Sequence, residues 1–207
     1  MKRIRKRILA LLLVAVLIVM QVSSAVAGTN TVTNSAWWDD WTQTYEIADG
    51  ATVRLHVDMV TAGSAVYQNL NAVFCNVATD GETIPADISG YAEYVVLRSD
   101  NYGWGDYYGT TTYTGTDYLY DASISDYSAI LTGADYDITI TRDGTAIDYD
   151  IVITESDGIT QLNCGYEIVI ASLSDSDSLY VLFTGDAGAS FDVFEAVTVT
   201  NASWWDA

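Results

Sequence analysis

The chain has 207 residues, 28 of them acidic and eight basic, for a formal net charge of −20, and half of its residues are apolar and 12% aromatic. That apolar and aromatic content excludes a disordered chain and is enough for a sizeable core. The acidic balance argues against nucleic acid and anionic lipid surfaces as partners, because both require a dense basic patch.

Residues 1–27 come first in chain order. Lys2, Arg3, Arg5, Lys6 and Arg7 precede an apolar run from Ile8 to Met20, and small residues close the segment at Ala25-Val26-Ala27. This is the pattern of a secretory signal peptide cleaved after Ala27, since the apolar run is too short to cross a bilayer. No cysteine follows the run, which argues against a lipoprotein anchor. The mature chain expected from residue 28 keeps three cations, Arg54, Arg98 and Arg142, against 28 acids, a net charge of −25, and it has no lysine. Schiff-base chemistry and lysine–asparagine isopeptide cross-links are excluded with the lysines. A secreted or cell-surface location is expected. In that oxidising setting Cys75 and Cys164 are either a disulfide or two buried thiols acting as small apolar residues.

Alternation of period two then recurs to the end of the chain. Runs rich in Val, Ile, Tyr and Thr at Thr44–Ala48, Thr52–Val60, Ala72–Val77, Ala92–Arg98, Tyr136–Arg142, Ala146–Thr154, Leu162–Ala171, Leu179–Thr184 and Phe191–Val199 predict short strands. No segment carries a sustained helical stripe. The fold class expected is all-β: an antiparallel β-sandwich of jelly-roll type, with about nine or more strands, over residues 28–197. Asp143-Gly144 marks the sharpest hairpin, because a tight primed turn needs positive φ. The polar, Tyr- and Gly-rich stretch from Asn101 to Asp126 predicts long loops with one or two short strands.

One segment occurs twice. Thr31-Val32-Thr33-Asn34-Ser35-Ala36-Trp37-Trp38-Asp39-Asp40 returns 167 residues later as Thr198-Val199-Thr200-Asn201-Ala202-Ser203-Trp204-Trp205-Asp206-Ala207, with seven of ten positions identical. Residues 198–207 are therefore expected to open a second tandem repeat, and neighbouring repeats become expected partners. The alternative is one domain whose first and last strands share a pattern.

Two clusters carry recognition chemistry. From Arg98 the chain continues Ser99-Asp100-Asn101-Tyr102-Gly103-Trp104-Gly105, placing an acid, an amide and two aromatics close together. Aromatic faces suit the apolar side of a pyranose, and amide, carboxylate and guanidinium groups suit paired hydroxyls. Trp104, Asp100, Asn101, Arg98 and Tyr102 are thus candidate ligand contacts, and the competing reading is a structural corner in which Arg98 pairs with Asp100. In Trp37-Trp38-Asp39-Asp40-Trp41 an extended backbone would put adjacent indoles on opposite faces, one buried and one, such as Trp38, exposed. Asp39, Asp40 and the pairs Asp135/Asp137, Asp148/Asp150 and Asp175/Asp177 offer oxygens to a structural calcium ion, although no EF-hand loop is present. His56 is the only histidine and has no Cys or His near it in sequence, so a transition-metal site is not expected.

The order Trp37-Trp38-x-x-Trp41, Tyr45-x-Ile47, Gly90-Tyr91-x-Glu93-Tyr94-x-Val96-Leu97-Arg98-x-Asp100-Asn101-Tyr102-Gly103-Trp104-Gly105, an Asp-Gly hairpin and a closing Tyr180-Val181-Leu182-Phe183-Thr184-Gly185 resembles jelly-roll modules of secreted polysaccharide-degrading enzymes and surface proteins of gut and rumen bacteria. The resemblance covers roughly Ser35 to Phe194 and implies a carbohydrate-associated accessory module whose partner is a polysaccharide or surface glycan. Gln68-Asn69-Leu70-Asn71 departs from that family's Asn-Trp-x-Asn element, with Leu70 in place of the indole.

Catalysis is not expected. A glycosidase needs two carboxylates flanking one bond, often from a single strand, and the six glutamates here are scattered. A Gly-x-Ser-x-Gly elbow and a Cys/His pair are also missing. The function expected is non-catalytic binding of a neutral glycan, with a structural or adhesive repeat of a surface protein as the alternative.

Overall fold

The computed structural model describes residues 30–100, 102–105, 109–117 and 119–195. Its strands are β1 (Asn30–Thr33), β2 (Tyr45–Glu46), β3 (Thr52–Thr61), β4 (Asn71–Cys75), β5 (Glu93–Arg98), β6 (Gly103–Trp104), β7 (Thr111–Asp117), β8 (Asp135–Asp143), β9 (Ala146–Thr154), β10 (Gln161–Ile170), β11 (Tyr180–Thr184) and β12 (Ser190–Glu195). They form two antiparallel sheets, one in the order β1-β12-β3-β8-β9-β10-β7 and one in the order β2-β11-β4-β5-β6. Strands from the first half pair with strands from the last, β1 and β3 with β12 and β2 and β4 with β11, which is the wrapping of a jelly roll, while β8, β9 and β10 form a meander. Each of the nine predicted runs overlaps a strand. The stretch predicted as loops holds two more, β6 and β7. The signal peptide and the second copy of the repeated segment lie outside the described residues.

The larger sheet reads as its sequence alternates. In β8 and β9 Tyr136, Ile138, Ile140, Ile147, Tyr149, Ile151 and Ile153 face the core, and Asp135, Asp148 and Asp150 point outward. Gly144 turns between them at φ 59°, and Asp143 pairs with Ala146 across the tight turn. Arg142 shares the inward parity and is buried at that end of the sandwich. Its guanidinium donates to the carbonyls of Gly144 (3.0 Å), Ile47 (3.2 Å), Asp177 (2.8 Å) and Ser174 (2.9 Å), tying the turn to two other loops.

The smaller sheet is buried on both faces. Ala72-Val73-Phe74, Val95-Val96-Leu97 and Val181-Leu182-Phe183 are continuous apolar runs, the pattern of a strand covered on two sides. Phe74, Val95, Leu97 and Phe183 belong to the core between the sheets. Val73, Val96 and Leu182 form a second apolar cluster, against which Trp38, Trp41 and Trp104 pack.

The two cysteines are not bonded, which corrects the disulfide pairing Cys75–Cys164. They sit on different sheets with different neighbours. Cys75 ends β4 beside a bulge, donates to the carbonyl of Val77 and lies near Glu93, whereas Cys164 on β10 belongs to the core beside Tyr136, Tyr149 and Tyr166. A disulfide needs the two Cβ atoms within about 4.5 Å and aimed at each other.

Candidate functional site

The outer face of the smaller sheet gathers most of the sequence-predicted residues, beginning with the loop after β1. Buried Asn34 donates through Nδ2 to the carbonyl of Asp40 at 2.9 Å. The Asp39 carboxylate accepts from the backbone N–H of Ser35 (3.0 Å) and Ala36 (3.1 Å) and from the Ser35 hydroxyl. Those bonds, the Ser35 hydroxyl first, hold the Asp39 carboxyl below its ordinary range. The loop is a turn, so strand alternation does not apply. Trp38 takes φ 53°, a left-handed conformation that costs a bulky residue about 1–3 kcal/mol and persists only where the surroundings impose it. Here its N–H donates to the carbonyl of Gly185 at 3.3 Å. The two indoles therefore stack on one side, with centroids 6.2 Å apart and planes at 23°, instead of pointing to opposite faces.

The second half of the site comes from β5 and β6. Arg98 forks onto Asp100, Nε to Oδ1 at 2.9 Å and Nη2 to Oδ2, and both side chains are mostly buried. The guanidinium lies against the rings of Tyr102 (4.6 Å), Tyr67 (5.1 Å) and Trp104 (6.0 Å). Two tyrosines of the larger sheet pin the connecting loop. Tyr113 donates to the carbonyl of Gly103 at 2.5 Å, and Tyr166 donates to the carbonyl of Arg98. Gly103 is obligatory because a Cβ there would stand 2.7 Å from Leu97 Cδ2 and 2.8 Å from the carbonyl oxygen of Val96. Trp104 then meets Trp37 at 5.6 Å, Trp38 at 5.8 Å and Tyr102 at 6.1 Å.

The result is an aromatic platform. Trp37 (50% exposed), Tyr102 (54%) and Tyr67 (40%) present area to solvent, and Trp38 and Trp104 support them from below. Of the predicted contacts, Arg98, Asp100, Tyr102, Trp104 and Trp38 come together, and Asn101 lies outside the described residues. The competing reading of a structural corner holds for Arg98, which occupies both oxygens of Asp100, and Trp38 is half-buried while its neighbour Trp37 is exposed. Leu70 is core, and Asn69 beside it accepts from the N–H of Gly63 and donates to the carbonyl of Ala65.

Next to the platform lies a pocket of about 110 Å³ whose lining includes Trp38, Trp41, Tyr91, Glu93, Ile84 and Leu182. The Tyr91 hydroxyl donates to Glu93 at 3.2 Å. Burial pushes the Glu93 carboxyl above its ordinary range, an effect eased by that hydrogen bond. Trp37, Tyr67, Tyr91 and Glu93 are the residues that sequence reasoning missed. Period-two alternation of Tyr91 with Glu93 was a usable signal, whereas Tyr67 reaches the site from a single 3-10 turn, Val66–Gln68.

The acidic pairs disperse. Asp177 closes a turn by accepting from the N–H of Ser174 at 2.7 Å, and Asp148 and Asp150 stand on β9. On the outer face of the larger sheet His56 bonds Asp58 (2.9 Å) and Asp137 (2.8 Å), and His56, Asp58 and Asp135 offer three ligand atoms within 4.8 Å of one another. Calcium takes six to eight oxygens, so an imidazole with two carboxylates does not suit it. In comparisons with known proteins, no family model matches the chain and no curated protein matches it in sequence.

Proposed function

We propose that the protein is an exported, non-catalytic carbohydrate-binding module that holds a neutral glycan against the outer face of its smaller sheet. The observation that carries this proposal is the platform of Trp37, Tyr102 and Tyr67, an exposed aromatic surface fixed by packing and by the Arg98–Asp100 fork. Sugar rings stack on such faces at little entropic cost, because the side chains are already held. The strong negative charge favours neutral over polyanionic polysaccharides. A non-catalytic role fits the carboxyls of this face, where Asp100 is locked to Arg98 and Glu93 has no second free carboxyl opposite it among the described pocket residues. Affinity electrophoresis through gels containing neutral polysaccharides provides the test. Wild type is expected to be retarded, and Trp37→Ala to lose about tenfold in affinity while staying folded. Equal retardation of the two, or none for wild type, rejects the platform as the site.

A second function has its own observation. The repeated segment is structural where it is described, supplying an edge strand to one sheet and the Trp37-Trp38 cover of the other. This supports a tandem structural repeat of a surface protein, the outcome favoured if no polysaccharide retards the chain.

A further inference from the structure

The pocket beside the platform combines aromatic walls with a single carboxylate. Three aromatic residues, Trp38, Trp41 and Tyr91, share its lining with Val73, Ile84 and Leu182, and Glu93 is its one acidic group. Glu93 is half-buried and has no ion-pair partner among the described residues; its recorded contact is the Tyr91 hydroxyl. A carboxylate in that position lacks a cation. The Thr184 hydroxyl is already engaged, donating to the carbonyl of Asp40 at 2.7 Å.

These facts discriminate among ligands. A sugar needs several free hydrogen-bonding groups, which the lining does not provide. A metal ion needs several oxygens, and a primary ammonium needs three acceptors. A methylated ammonium needs neither. It has an apolar surface and a diffuse positive charge, which aromatic walls and one carboxylate accommodate. We propose that the pocket lined by Trp38, Trp41, Tyr91 and Glu93 binds a quaternary methylammonium group. This goes beyond glycan binding and does not depend on it. The indole N–H groups of Trp38 and Trp41 are buried without an acceptor among the described residues, so they offer a sugar no reachable donor.

Choline is the probe for the test, and its uncharged isostere 3,3-dimethylbutan-1-ol is the control, titrated into the intact chain at matched ionic strength. Binding is read from tryptophan fluorescence and chemical shifts. Choline is expected to bind saturably and about tenfold more tightly than the isostere. Glu93→Gln is expected to lower choline affinity about tenfold and leave isostere binding unchanged. Trp41→Leu, which keeps apolar bulk and removes the π face, is expected to weaken choline in the same way. Equal binding of choline and isostere, choline binding unaffected by both substitutions in folded variants, or no saturation by choline at about 100 mM overturns the proposal. Phosphatidylcholine vesicles identify the source of the group. Retention on vesicles assigns it to a lipid headgroup, and choline binding without retention assigns it to a soluble or polymer-borne onium; either result upholds the chemistry.

Discussion

His56 shows how much a single side chain gains from a sheet neighbour that sequence spacing does not reveal. Both ring nitrogens meet carboxylates, Asp58 two residues along β3 and Asp137 across the register on β8, with Asp135 and the Phe194 ring also close. Burial lowers its pKa, but the hydrogen bond and charge of Asp137, followed by those of Asp58, outweigh burial and raise it overall. A folded-state value above the unfolded one gives stability that is fully present below the unfolded value near 6.5 and is lost as pH rises through the folded value. Because the imidazole is more than one-third exposed, screening keeps the effect below about 1 kcal/mol. The difference in thermal midpoint between wild type and His56→Gln is therefore expected to be largest near pH 5.5 and to vanish at alkaline pH. A difference that does not change with pH would mean that His56 acts by packing alone.

At the scale of elements, Arg142 behaves as a keystone. Replacing it with Ala leaves the carbonyls of Ile47, Gly144, Ser174 and Asp177 without their donor, and buried unsatisfied groups cost about 1–3 kcal/mol each. Denaturant unfolding of Arg142→Ala is expected to show a loss of at least about 3 kcal/mol with an unchanged slope, and a loss under about 1 kcal/mol would show that water replaces the guanidinium. Its position could have been read from the sequence: Tyr136, Ile138, Ile140 and Arg142 have one parity, so a strand that buries the first three also buries the arginine. The long strands of the larger sheet were legible for the same reason, and β4, β5 and β11 as short apolar runs. β1 was not, because Asn30-Thr31-Val32-Thr33 buries only Val32 and takes its place by covering β12. The platform was half legible. The Arg98–Trp104 cluster is contiguous in sequence, but its meeting with Trp37 depends on a positive φ at Trp38 that no alternation rule contains.

For the whole molecule, the separation of the cysteines gives a direct expectation. Burial pushes both thiols up to about 12, so neither supplies thiolate at neutral pH. Thiol titration is expected to give no reaction in the folded state and two thiols after unfolding without reductant, and zero thiols after unfolding would restore the bridge. Among the described residues both sides of β12 are already paired, by β1 and by β3. Deleting residues 198–207 is accordingly expected to leave the thermal midpoint unchanged, and a fall of several degrees would place that segment in this domain's own sheet. The placement of the arginines has a different consequence for proteolysis. After residue 7 the chain has only Arg54, Arg98 and Arg142 for a protease that cleaves after basic residues. Arg142 is sealed in the core end, Arg98 is clamped between rings and Asp100, and Arg54 lies in β3, with strands paired on both sides. Trypsin-like digestion must then wait for the domain to open, so its lifetime among such proteases is set by its own unfolding equilibrium.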